Sequence, residues 1–159
     1  MPFNFYAVLV STLVTLVVGF VWYSPKVFGT IWMNETGMTE EKAKQSNMLK
    51  VFGLTIFYSF VLAFFIIPNL VVHQMGAFGL VGGDVNDQAY IEFMKVHGDS
   101  FRTFKHGALH GFFGGLCFAL PITAINSLFE QKSWKYILVT AGYWIVSMTI
   151  MGAIICGWK

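Results

Sequence analysis

Four long stretches of the chain carry no charged side chain. They cover residues 1–25, 51–83, 106–129 and 136–158. A helix rises about 1.5 Å per residue and needs about 20 apolar residues to cross roughly 30 Å of hydrocarbon. Each stretch holds that many, and a soluble chain of 159 residues is too small to enclose four such helices. The pattern predicts four membrane spans, near residues 5–24, 51–72, 107–128 and 136–157.

Composition agrees with a chain that is solvated mainly by lipid. Charged residues make up 11% of the sequence, less than half of the share of about 25% in soluble domains. The mean hydropathy is +0.64. Ten Lys and Arg against eight Asp and Glu are too balanced to indicate a nucleic-acid partner. We therefore expect a single all-α integral membrane domain over residues 1–159, embedded in the lipid bilayer.

The first span differs from a cleavable signal peptide. No basic segment precedes it, and it ends in Trp22-Tyr23-Ser24-Pro25 instead of small residues. We expect it to remain as a membrane helix. The aromatic residues at the span ends, among them Trp22 and Trp134, are typical of anchors at the membrane interface.

The distribution of Lys and Arg predicts the orientation. Four spans place both chain ends and the 73–106 loop on one side of the membrane. That side carries four Lys and Arg, whereas the first and third loops carry six Lys. Because positive charge collects on the cytoplasmic side, the termini and the 73–106 loop are expected on the outer face.

Two loops contain patterns typical of short amphipathic helices. In the first loop, apolar residues recur at helical spacing after Pro25, and Thr39 precedes two glutamates as a helix N-cap does. The 73–106 loop opens with a glycine-rich turn region over residues 76–83. From Asp87 onward its apolar residues recur at three- and four-residue steps, with a break at Gly98. We expect the helix after Pro25 and the helix after Asp87 to lie in the membrane interface.

Small residues recur every four positions along two of the spans. Helices associate in lipid through close backbone approach, which small residues permit. The candidate helix-packing residues are Ala7, Ser11, Thr15 and Gly19 in span one, and Gly107, Gly111, Gly115, Ala119 and Thr123 in span three. Span four has a weaker series of Thr149, Ala153 and Gly157. We expect spans one and three to cross closely, within one subunit or across a dimer axis.

Candidate chemistry is limited to histidines. No Asp, Glu, Lys or Arg lies inside a predicted span, which disfavours ion-coupled transport. The common nucleotide-binding, zinc-protease and haem-attachment motifs are absent, so neither catalytic residues nor a cofactor are predicted. His106 and His110 are four residues apart, as metal ligands on one helix face can be, and His73 falls on the same side. Interfacial polar histidines would show the same spacing.

Several motifs resemble those of a known family. They are Gly19-Phe-Val-Trp-Tyr-Ser-Pro25 with its continuation to Trp32-Met33, His106-Gly-Ala-Leu-His-Gly111, Leu120-Pro121, Asn126-Ser-Leu-Phe-Glu130, Ser133-Trp134 and Met151-Gly-Ala-Ile. Over nearly the whole chain the sequence resembles the bacterial domain-of-unknown-function family number seventeen sixty-one. The resemblance implies a small multi-pass protein of the bacterial inner membrane and carries no established activity.

Two functions stay open at this point. The first is a non-enzymatic membrane protein that forms homo-oligomers or serves as an accessory subunit of an envelope complex. It is favoured by the small-residue series and by the lack of catalytic motifs. The second is a small-solute or metal-handling membrane protein that uses His73, His106 and His110.

Overall fold

The computed structural model describes residues 1–159 and is entirely helical. Four helices are long and apolar enough to cross a membrane: α1 (Phe5–Trp22), α4 (Met48–Val71), α7 (Phe104–Phe129) and α8 (Trp134–Gly157). Four shorter helices lie between them: α2 (Gly29–Thr36), α3 (Glu40–Lys44), α5 (Gln74–Leu80) and α6 (Gln88–His97). The long helices end within three residues of the predicted spans. The prediction of an all-α chain with four helices able to span a membrane is therefore confirmed.

Polar side chains fix where several helices begin. Asn47 accepts a hydrogen bond from the amide of Lys50 at the start of α4, and Thr39 caps α3 as predicted. Asp87 caps α6, which ends before Gly98 as expected. The predicted turn over residues 76–83 is shorter than expected, because residues 74–80 are helical. Within residues 76–83, only Gly82 and Gly83 have positive φ angles, of 65° and 81°.

The fourth long helix, α8, lies at the centre of the bundle. It packs along α7 on one side and against α1 on another. Buried Met148, Met151 and Ile155 of α8 form part of the core. Both chain ends and the 73–106 loop meet at one end of the bundle, where the Asn4 side chain donates to the carbonyl of Lys159 at 3.1 Å. We call this end the histidine end, because it also carries His73, His106 and His110.

A π-helical turn interrupts both α4 and α7. In α4 it covers Leu62–Ile66 and comes just before Pro68, and in α7 it covers Gly115–Ala119 and comes just before Pro121. Proline has no amide hydrogen and collides with the carbonyl four residues earlier, which a wider turn relieves. Before its π turn α4 packs on α1, and after it α4 packs on α7 and α8. The first half of α4 is thus separated from α7.

The glycines of α7 face α8, so the expected close crossing of spans one and three within the chain is wrong. A β-carbon on Gly111 would lie 2.2 Å from the carbonyl oxygen of Met148, and one on Gly115 would lie 2.5 Å from the Cα of Ile145. Both glycines are buried. Because α8 already fills this surface, the glycines are not open to a second copy of the chain either. The four-residue spacing identifies which face of a helix packs against another helix. It does not identify which helix that is.

The small residues of α1 pack against α4 and α8. Ala7, Ser11 and Thr15 are buried. The Thr15 hydroxyl lies 2.5 Å from the Ser59 hydroxyl of α4, and the Tyr143 hydroxyl of α8 donates to the Thr15 carbonyl at 2.9 Å. Thr15 thereby links three of the four long helices.

Candidate metal centre

His73, His106 and His110 lie together at the histidine end. His73 comes two residues after the end of α4, and His106 and His110 occupy successive turns near the start of α7. The last turns of α4 pack on the first turns of α7. This packing places His73 beside the other two, although it precedes His106 by 33 residues.

The nitrogens of the three rings converge on a small volume. The Nε2 atoms of His73 and His106 are 2.9 Å apart. One nitrogen from each of the three rings lies within 4.8 Å of the other two. Nitrogen ligands about 2.0–2.1 Å from a tetrahedral metal ion are separated by about 3.3 Å. Side-chain shifts of about 1–2 Å would therefore place all three around one ion.

The donor set limits which ions the cluster suits. No carboxylate or thiol joins the three histidines. Imidazole suits zinc, copper, nickel and related ions, whereas Mg²⁺ and Ca²⁺ require oxygen ligands. Three protein ligands leave a fourth coordination position open. Because His73 is exposed and His106 and His110 are partly exposed, an ion can reach the cluster from solvent.

A short segment, residues 98–103, lies against the cluster; we call it the strap. The Phe101 ring lies edge-on to His73, with ring centres 5.4 Å apart, and its centre is 5.2 Å from that of His106. Phe101 has a φ of 62°, a left-handed conformation that is uncommon for a bulky residue. The strap is therefore held by its contacts and not by the preference of its own backbone.

Arg102 ties the strap to both ends of the chain. It is only 7% exposed. Its guanidinium donates to the carbonyls of Cys156 at 2.8 Å and of Ile155 and Trp158 at 3.4 Å, and also to that of Pro2. The last carbonyls of a helix lack partners and form the negative end of its dipole, so a cation is well placed there. In the sequence Arg102 counts only as one loop charge, and no local pattern indicates these distant partners.

The far part of the small-residue series in α7 is only partly covered by α8. Ala119 and Thr123 line an open groove of about 200 Å³ together with Leu62 of α4 and Trp144 of α8. The groove lies where the first half of α4 has separated from α7. This part of the α7 series stays accessible to another helix.

The fold is that of a small all-α protein with four helices able to span a membrane, and a histidine cluster lies at the end where its termini meet. The chain belongs to the family described as Protein of unknown function (DUF1761), whose family model matches residues 6–156. The resemblance found from the sequence motifs is thereby confirmed. No curated protein and no solved structure is similar to the chain.

Proposed function

We propose that the chain is a non-enzymatic protein of the bacterial inner membrane that binds a transition-metal ion through His73, His106 and His110. The observation that carries the proposal is the convergence of three imidazole nitrogens within 4.8 Å of one another. Histidines that served only to solvate helix ends would face water or lipid headgroups separately. Here His73 and His106 are hydrogen-bond partners of each other. Their nitrogens already face each other, so an ion can bind between them in place of that hydrogen bond.

Metal binding by the purified protein tests this proposal. In mild detergent with Zn²⁺, equilibrium dialysis and elemental analysis are expected to find about one zinc per chain, because one three-histidine site is present. Changing His73, His106 or His110 to Ala is expected to weaken binding by more than the roughly 10–100-fold that loss of an outer-shell partner costs.

The fourth histidine provides the control. His97 lies at the end of α6 and is not part of the cluster, so His97→Ala is expected to bind zinc as the wild type does. Wild-type protein that binds zinc no better than His106→Ala would overturn the proposal.

We place the histidine end on the outer face of the membrane. The six Lys of the first and third loops, against four Lys and Arg on the side of the termini, support this orientation. A reporter fused after Lys159 tests it. Alkaline phosphatase, which is active only outside the cytoplasm, is expected to be active there, and green fluorescent protein to be dark. The opposite pair of results would reverse the orientation and place the metal site in the cytoplasm.

A second candidate function is self-association, or service as an accessory subunit of an envelope complex. It is favoured by the open groove that Ala119 and Thr123 line with Leu62 and Trp144. Small residues permit close approach of a helix, and a two-fold axis would bring the same α7 surface from a second copy.

Light scattering after size exclusion in detergent tests this candidate. We expect a dimer that Thr123→Leu converts to a monomer. Gly53→Leu, at a position of α4 with open space around it, is expected to leave the dimer intact. A wild-type protein that is monomeric at all concentrations would exclude self-association through the groove.

A further inference from the structure

The strap connects the histidine cluster to both ends of the chain. Its residue Phe101 touches two of the three histidines, and its next residue, Arg102, holds the end of α8. We infer that metal binding at the cluster and the attachment of the strap to α8 are coupled, so that a bound ion stabilises the attached state. This inference rests on the proposed metal binding and concerns how the same site is regulated.

The residue that follows His73, Gln74, also holds the strap. Gln74 is 1% exposed. Its side-chain amide donates to the carbonyl of His97 at 2.7 Å and to that of Ser100 at 2.9 Å. One metal ligand and one strap support are therefore consecutive residues. A movement of His73 towards an ion also moves the point at which the strap is held.

The attachment to α8 consists of buried polar contacts. The Arg102 guanidinium donates to three carbonyls at the end of α8, and the Cys156 thiol donates to the carbonyl of Phe101 at 3.4 Å. If the strap leaves α8, these carbonyls and the arginine lose their partners together. Buried polar groups are costly to leave unpaired, so we expect the strap to attach and detach as one unit.

The coupling follows from where the Phe101 ring lies. A bound ion fixes the His73 and His106 rings in one orientation, and the Phe101 ring lies against both. Without an ion these rings are held only by the hydrogen bond between them, and the surface that supports a strained Phe101 backbone is less firmly fixed. A ligand shifts an equilibrium towards the state that it binds better, and the effect is equal in the reverse direction. The ion should therefore keep the strap attached, and the attached strap should tighten ion binding by the same factor.

Cys156 provides a direct measure of strap opening. It is fully buried beneath the strap, so its reaction with a maleimide reports how often the strap leaves α8. Cys117, the second thiol, is first changed to Ser. In Cys117→Ser protein we expect saturating Zn²⁺ to slow the labelling of Cys156 by at least about fivefold, the lower end of typical coupling. Excess chelator should restore the rate.

Two controls separate coupling from other effects of zinc. In the double variant Cys117→Ser/His106→Ala, zinc is expected to leave labelling unchanged, which excludes direct protection of the thiol by zinc. The effect of the strap on zinc binding is tested with Arg102→Gln. This change should weaken zinc binding by the same factor by which zinc slows the labelling of Cys156. Lys95→Gln, which removes an exposed cation of the same loop, should not weaken it.

The two proposals fail in distinguishable ways. If Cys117→Ser protein binds zinc but its labelling rate does not change, the coupling is wrong and the metal site stands. If the protein binds no zinc, the proposed function itself is wrong. The labelling experiment needs no Arg102 variant, so it decides the question even if Arg102→Gln does not fold.

Discussion

The backbones of Gly107 and Gly152 approach each other so closely that neither position has room for a side chain. A β-carbon on Gly107 would lie 2.1 Å from the carbonyl oxygen of Gly152, and one on Gly152 would lie 2.5 Å from the carbonyl oxygen of Gly107. Both obstacles are backbone atoms, which cannot rotate away. The contact between α7 and α8 therefore depends on this pair.

Gly152→Ala is expected to destabilise the protein. Overpacking costs about 1–3 kcal/mol, with the upper end expected here because the obstacle is backbone, and alanine regains only about 1 kcal/mol in helix propensity. A net loss of up to about 2 kcal/mol is therefore expected. The matched control is Gly53→Ala, because a β-carbon on Gly53 of α4 meets nothing within 4 Å. Unfolding in mixed micelles should show a loss of stability for Gly152→Ala and none for Gly53→Ala. Equal stability of the two variants would contradict the close packing of α7 on α8.

Trp22→Phe is expected to weaken the contact between α1 and α8. The sequence suggests a membrane-interface anchor, but the Trp22 indole donates to the carbonyl of Val139 at 2.9 Å, and Gly142 makes room for its ring. Hydrogen bonds between membrane helices average about 0.6 kcal/mol and reach about 1.7 kcal/mol, so a loss in that range is expected in the unfolding free energy. Trp134→Phe, at a residue that is 66% exposed, should cost less. If the two changes cost the same, Trp22 acts only as an anchor.

Much of the fold could be predicted from the placement of charge. The membrane-crossing part of a helix rarely carries charged side chains, so the spans predicted from the uncharged stretches match α1, α4, α7 and α8 to within three residues. The partner of each helix could not be predicted in this way. The glycines of α7 pack most closely against Met148 and Gly152 of α8. Each of these precedes by one residue a member of the small-residue series of α8, Thr149 or Ala153, so the series marked the correct region of α8 but not the residues of closest approach. Which helices touch depends on the geometry of the whole bundle. The spacing of residues within one helix does not determine it.

The candidate site, too, could be predicted from the sequence only in part. His106 and His110 could be paired from their spacing alone, because a helix places every fourth residue on one face. His73 could be added to this pair because the order of the four spans places it at the same end of the protein. Arg102 could not be found, because its partners Cys156 and Pro2 lie 54 and 100 residues away. Short-range patterns carry no information on such contacts.

Thr15 and Ser59 are expected to be energetically coupled. Their hydroxyl oxygens are 2.5 Å apart between α1 and α4, and both residues are buried. A double-mutant cycle with Thr15→Val and Ser59→Ala isolates the pair from other effects of each change. We expect a coupling of about 0.6 kcal/mol, with an upper bound near 1.7 kcal/mol, in unfolding measured in mixed micelles. Additive changes would show that the two hydroxyls do not hold α1 and α4 together.

Zinc is expected to stabilise the folded protein, and magnesium is not. An ion that binds only the folded chain adds about 2.7 kcal/mol when its free concentration is 100 times its dissociation constant. Three imidazoles without a carboxylate provide ligands for Zn²⁺ but none of the oxygen ligands that Mg²⁺ needs. Unfolding of wild-type protein and His110→Ala, each with Zn²⁺, Mg²⁺ or a chelator, measures this difference. Only wild-type protein with Zn²⁺ should gain stability. An equal gain with Mg²⁺, or in His110→Ala with Zn²⁺, would mean that the stabilising ion binds elsewhere.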